Sequence, residues 1–415
     1  MSEPSSNQPS PMLKSMLPGA MLFFGTALMG VGGLASFVRN GGKEFGLAWL
    51  LAFMFYYTIS LGALFMVMVH HLTDAGWSVG IRRFCEHLAS LLFPWLAILF
   101  VPIPLFGSRI YAWMKLDPAT NNLVAAKYPV FTIPGFWITS ALFFGIWWLL
   151  SSRLCTLSLE QDETGAAECT RKLRFHSGWG VVAFALTSTF SAVLWMQAVQ
   201  YQWFSAMYGV YFFASSVWAG LAVIYLIAVV LLQEGFLTPV VKQHYFYFLG
   251  VLLLAFTLLS SYTEFAQYFV VWNANMPEET FWYLIRERGG WFGLSLLLIL
   301  GKCFVPFFVL LPIHTKTNFR VLVPLCLLIL VMHFADLAFN ILPAWHPHAH
   351  HIHWLCLHLG CLLFMGGFLG RVFVNKFNSH PPYPRRDPRL LEAMGVNPHV
   401  INDLVDANAN PGGAK

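Results

Sequence analysis

Apolar residues in this chain come in long unbroken blocks rather than in stripes opposed to a polar face. Ten blocks of twenty or more mostly apolar residues occupy 16–38, 46–69, 88–107, 131–152, 179–200, 204–232, 245–271, 291–311, 321–342 and 354–377. A helix that rises about 1.5 Å per residue needs about 20 such residues to cross the hydrocarbon of a bilayer. The pattern predicts an all-α, polytopic membrane protein with about ten transmembrane helices in one domain, 16–377. An N-terminal tail (1–15) precedes it and a polar C-terminal tail (378–415) follows. Residues 1–11 are Ser- and Pro-rich with a single acid, a composition expected to stay disordered. They lack the basic region and short apolar core of a signal peptide, so the first span is expected to be retained.

Breaks within the blocks refine the picture. Pro94, Pro102 and Pro104 each remove a backbone donor and should kink or shorten the third span. Gly366 and Gly370 are spaced for close helix packing in the tenth. Residues 201–203 are barely a turn, so spans five and six are expected to be antiparallel neighbours. No repeat between the halves is evident.

Composition agrees with a membrane chain: 58% hydrophobic, 17% aromatic and 10% charged, against roughly 25% charged in soluble domains. A net charge of +5 gives no reason to invoke nucleic acid. The distribution of charge says more. Sixteen of the 24 Lys and Arg residues fall on the side of the N-terminus and seven on the other, with Lys302 left inside the membrane. Positive residues favour the cytoplasmic side, which places both termini there.

Charge inside the blocks is where chemistry is expected, because each ionisable group at membrane depth costs about 3 kcal/mol on insertion scales. His333 and Asp336 lie about one turn apart on one face of span nine, in its outer half. Glu264 lies near the outer end of span seven, His358 about a turn inside the outer end of span ten, and Lys302 near the middle of span eight. At the inner end, His70, His71 and Asp74 share a face if span two continues that far. Arg82, Arg83, Glu86 and His87 follow, with Arg82 and Glu86 at ion-pair spacing if helical. For this inner group the plain reading is interfacial residues and snorkelling side chains. Titratable groups distributed in this way suit proton transfer, with Asp336, His333 and Glu264 as an outer half-path, Lys302 as a central relay and His70, His71 and Asp74 as an inner half-path.

The seven cysteines form no CxxC or CxxCH, so neither a Cys-bound iron–sulfur cluster nor a covalent c-type haem is expected in this chain. No two neighbouring spans offer centred histidines for a b-type haem. His346, His348, His350, His351 and His353 crowd the loop before span ten. Without a carboxylate or thiolate beside them, a solvated or subunit-contacting loop is the better reading than a metal site.

The most specific stretch holds Phe265, Gln267, Tyr268, Trp272, Asn275, Pro277, Glu278, Glu279 and Thr280 in the order F-x-Q-Y-x-x-x-W-x-x-N-x-P-E-E-T. It resembles the signature of the membrane subunits of alternative complex III, a bacterial quinol:cytochrome c oxidoreductase, within the polysulfide-reductase-like membrane family. Three further segments resemble the shorter of its two ten-span subunits, the F subunit. They are 71–86 (HLTDAGWSVGIRRFCE), Arg286-Glu287-Arg288-Gly289-Gly290-Trp291, and 381–392 (PPYPRRDPRLLE). The resemblance implies two four-helix bundles with two flanking helices, in a bacterial inner membrane. It also implies partners: a sister ten-helix subunit, a multihaem cytochrome c subunit and an iron–sulfur subunit that bear the haem c and clusters, besides lipid and quinol. This chain would then bind no cofactor of its own, with quinol the one possible exception.

The leading expectation is a subunit that conducts protons while quinol is oxidised elsewhere in the complex. A second version places a quinol headgroup near His333, Asp336 or His358, lined by Tyr262, Tyr268, Trp272 or Trp291, for which the interfacial aromatic belt is the plainer role. A stand-alone ion or solute transporter would call for inverted repeats and broken midplane helices. A structural scaffold subunit is the remaining alternative.

Overall fold

A computed structural model describes residues 12–238, 240–347, 354–390 and 394. The protein is 82% helical, with no strand among the described residues. Among the described residues, ten helices are long and apolar enough to cross a membrane. They are spans 1 (Leu17–Asn40), 2 (Lys43–Leu72), 3 (Gly76–Leu105), 4 (Ile133–Thr164), 5 (Ala167–Gln200), 6 (Tyr208–Gln233), 7 (Gln243–Ala274), 8 (Gly289–Leu310), 9 (Phe319–Ala344) and 10 (Leu355–Asn378). Successive spans run in opposite directions; the face that carries Met12 and Leu390 is here termed inner, the opposite one outer.

Spans 2–5 pack as one four-helix bundle and spans 6–9 as a second, joined through spans 2 and 6. Spans 1 and 10 run against each other and against span 2, flanking the bundles. Span 2 is apolar on every side because it is surrounded on every side, as expected of a central helix. Where it meets span 6, Gly62 lies against the Ser216 backbone with no room for a Cβ. Spans 1 and 10 approach as closely. Gly366 and Gly370 do face span 1 and Tyr56, but Gly360 and Gly367 are the positions where a Cβ would strike span 1 backbone.

Two spans carry π-helical turns. Ile299–Phe304 in span 8 contains Lys302. Pro306 has no N–H to return to the Lys302 carbonyl, so the regular ladder opens at the residue whose side chain must turn inward. Ala192–Met196 is a π-turn of span 5, followed by a last turn of 3₁₀ form, with no proline to account for it. The prolines of span 3 act as expected, dividing it into Val79–Ala89, Trp95–Phe100 and shorter pieces.

Span 3 departs from its expected bounds. Its helix starts at the inner end near Val79 rather than at 88, so Arg82, Arg83, Glu86 and His87 lie inside the bundle and are all buried. The interfacial, snorkelling reading of this group does not hold. Hydropathy missed the turns because their charges are paired with one another and with the tail.

Candidate functional site

The outer cluster is built by four helices around one cation. Lys302 Nζ lies 2.7 Å from Asp336 Oδ2 and 3.0 Å from Glu264 Oε2. Asp336 and Lys302 are buried, whereas the Glu264 side chain is 36% exposed on the lateral side of the bundle. Glu264 sits ten residues before the end of its helix, deeper than the outer end expected from hydropathy, because span 7 continues to Ala274. Sequence placed Lys302 as a relay apart from the outer acids; the structure makes it their direct partner.

Asp336 is further held from span 6. The Tyr211 hydroxyl donates to Asp336 Oδ2 at 2.6 Å, and the Asn340 amide donates to Tyr211 Oη at 3.0 Å. The Tyr208 hydroxyl donates to Asn340 Oδ1 at 3.2 Å, extending the chain toward the outer end. Asn340 follows Asp336 by one turn on the same face, and His333 precedes it by about one turn. His333 Nε2 lies 2.8 Å from Thr58 Oγ1 of span 2, while its Nδ1 is buried without a partner.

Arg286 closes the outer end. It is buried, stacks with its guanidinium 3.4 Å from the Trp282 ring centre, and donates to the carbonyls of Trp282, Phe339 and Asn340 at 2.8–2.9 Å. It also reaches Gln200 Oε1 at 3.2 Å. Sequence counted Arg286 as a loop charge and did not mark Tyr208, Tyr211 or Asn340. The Arg-Glu-Arg-Gly-Gly-Trp segment was the only signal for Arg286, and nothing local distinguishes the other three.

A smaller acid–imidazole pair lies at the outer end of span 2. Glu44 is buried and its Oε2 lies 3.0 Å from His346 Nε2. His346 was expected in a solvated or subunit-contacting loop without a carboxylate beside it; it is buried and meets one that lies 302 residues away in the chain. The rest of that histidine run, His348, His350, His351 and His353, falls outside the described residues. His358 is buried, donates through Nδ1 to the Trp354 carbonyl at 2.8 Å, and leaves Nε2 without a partner among the described residues. Among the described residues no group of three His, Cys, Asp or Glu side chains is arranged to hold a metal ion. Of the aromatics expected near His333 or His358, Trp291 is buried and donates to the His346 carbonyl at 2.7 Å, whereas Tyr262, Tyr268 and Trp272 are exposed.

The inner cluster is a chain of alternating charges. His70 Nδ1 lies 2.5 Å from Ser78 Oγ and its Nε2 3.3 Å from the Arg82 guanidinium. Arg82 pairs with Glu86 at 3.1 Å, as its spacing predicts, and with Asp387 of the C-terminal tail. Asp387 takes two bonds of 2.9 Å from Arg389, which reaches Asp74 at 2.9 Å; Asp74 also pairs with Arg174 at 2.5 Å. On the other flank Arg83 joins Glu86 and Asp162. Asp74 does not share the helical face of His70 and His71. Span 2 ends at Leu72 and Asp74 turns left-handed at φ 54°, a conformation Asp tolerates better than most residues. Burial would raise the Asp387 carboxyl, but the Arg389 bonds and the Arg82 charge hold it at about 2. His71 is fully buried, and neither ring nitrogen has a partner among the described residues.

The two clusters do not touch. From Thr58 to His70 span 2 advances about 18 Å at the usual rise, and no residue between them on that helix is ionisable. No protein-family model matches this chain, and no curated protein matches it.

Proposed function

We propose that this chain is a proton-carrying transmembrane subunit of a quinol:cytochrome c oxidoreductase of the alternative complex III type. In this reading it lies in a bacterial cytoplasmic membrane with its inner face toward the cytoplasm. The observation that carries the reading is Lys302 held between Glu264 and Asp336. One cation faces two carboxylates, so the cluster is neutral with one added proton and carries a single negative charge without it. Uncompensated charge at this depth is costly, which ties the arrival or loss of that proton to charge movement nearby. Glu264 offers the exposed end of the cluster and Asp336 the buried end. Tyr211, Asn340 and Tyr208 supply hydrogen-bonding groups from Asp336 outward. Haem c and iron–sulfur clusters belong, in this reading, to partner subunits, which perform the electron transfer.

A second version places a quinol headgroup at His333, Asp336 or His358. What favours it is the pair of buried, unpartnered imidazole nitrogens, His333 Nδ1 and His358 Nε2, which a hydroxyl donor would satisfy. The test is Asp336→Asn in the intact complex, with quinol:cytochrome c activity and proton release followed in liposomes. Loss of proton release with electron transfer retained supports the proton path. Loss of both with assembly intact supports the headgroup site. Full activity and normal proton yield would make this chain a scaffold.

A further inference from the structure

The C-terminal segment after span 10 folds back over the inner end of the bundle. The Arg385 amide donates to Asp162 Oδ1 at 2.9 Å, and the Arg386 guanidinium reaches the Glu163 carbonyl. Asp387 is buried between Arg82 of span 3 and Arg389. Among the described residues, Arg389 is what links the tail to Asp74, just beyond the end of span 2. Asp74 in turn lines a cavity of about 420 Å³ at the inner surface, with Thr73, Gly76, Trp77, His244 and Phe248. Behind Asp74 lie His70 and His71, whose rings meet edge to face at 4.9 Å and feel the charges of both Arg82 and Arg389. A buried imidazole with two unsatisfied nitrogens, as His71 is, costs free energy unless water or a partner reaches it. The vestibule is thus walled by the residues that follow His71 in the chain, and a tail-borne arginine is clasped to one of them, Asp74.

We propose that the segment 381–390 is a removable seal on the inner vestibule, and that the Arg389 bridge from Asp387 to Asp74 is its latch. With the latch closed, His70 and His71 are shut off from inner water; with it open, they gain access to the vestibule. The anchor and the latch are separable. Asp387 stays with Arg82 when Arg389 is lost, so the tail keeps its seat while its grip on Asp74 goes. The seal is a structural device and stands apart from the proton reading; if that reading holds, the seal sets when the inner half-path fills.

The experiment is diethyl pyrocarbonate labelling of the full-length protein in membranes, read at each histidine by mass spectrometry. In the natural protein His70 and His71 should be protected. In Arg389→Gln labelling at His71 should rise about tenfold, while His333 and His358 stay protected; Arg389→Lys should fall between the two. Unchanged protection of His71 in Arg389→Gln would overturn the seal. So would a loss of protection at His333 and His358 together with His71, since that reports general loosening rather than a local opening. Quinol-driven proton release by the intact complex carrying Arg389→Gln separates the two ideas: a labelled His71 with unchanged proton release keeps the seal and removes the inner histidines from a proton path.

Discussion

Lys302 is the side chain on which most of the outer cluster depends. It is buried in a π-turn and contributes the one positive charge that two carboxylates share. Removing one partner of a buried ion pair leaves the other desolvated and costs about 3–5 kcal/mol. We expect Lys302→Met to lower the thermal unfolding temperature in detergent well below that of Asp336→Asn. The Asn side chain keeps an oxygen for Tyr211 and Lys302, whereas Met leaves Asp336 and Glu264 facing one another uncompensated. Adding Glu264→Gln to Lys302→Met should recover part of the loss. An unfolding temperature unchanged by Lys302→Met would mean that the charge is screened and the cluster is not dry. Depth alone made Lys302 and Asp336 visible in the sequence, because a charge in an apolar block has no other cheap explanation. Their partners were not visible: Tyr211, Asn340 and Tyr208 are ordinary residues of apolar spans, and only the packing of span 6 against span 9 gives them a task.

At the level of helices, apolar length located all ten spans, since hydrocarbon demands it of each one independently. It failed where a helix carried paired charges. The first turns of span 3 hold Arg82, Arg83, Glu86 and His87, and no hydropathy pattern distinguishes charges buried by a tail 300 residues later from charges in water. The glycine spacing in span 10 pointed to a closely packed helix but not to its neighbour or to the tightest contacts. A leucine at Gly360 must displace the Leu28–Met29 backbone, so Gly360→Leu should separate spans 1 and 10 and destabilise the protein by about 1–3 kcal/mol or more. Gly30→Leu, on the same helix pair but with open space at its Cβ, should be neutral by the same thermal assay. Equal losses at both positions would refute the backbone contact.

The tail adds a pH dependence of known sign. Asp387 is held at about 2, below its ordinary 3.8, so ionised Asp387 favours the docked tail. That contribution is full above the ordinary value and disappears as pH falls through about 2. Limited proteolysis near Arg385 and Arg386 should therefore be constant from neutral pH down to about 4 and accelerate below it, by an acid-tolerant protease. Faster cleavage between pH 7 and 5 would place the control on another group.

Across the whole molecule, the inner cluster lies at one end of the bundle and the outer cluster nearer its middle, and the two are separated by the inner half of span 2. From Ile59 to Val69 that helix offers Ser60 as its one side-chain hydroxyl and no ionisable group, and span 6 from Phe213 to Ile227 adds the hydroxyls of Ser215, Ser216 and Tyr225 but no carboxylate, imidazole or lysine. A proton crossing this interval without water would have to be transferred through hydrocarbon, where an uncompensated charge costs several kcal/mol even after relaxation. The protein at rest should therefore not be a proton wire. Liposomes containing the chain, with an internal pH-sensitive dye and potassium clamped by valinomycin, should acidify no faster than empty liposomes when an inward proton gradient is imposed. An acid placed in the gap gives the contrast. Leu64 is buried midway along the interval, and Leu64→Glu puts a titratable group there. If the apolar interval is the barrier, that variant should leak where the natural protein does not. Conduction by the natural chain at rest would mean that water already bridges His71 and His333. The separation of inner and outer clusters would then be a matter of side chains alone, and coupling to quinol oxidation would have to reside in another subunit.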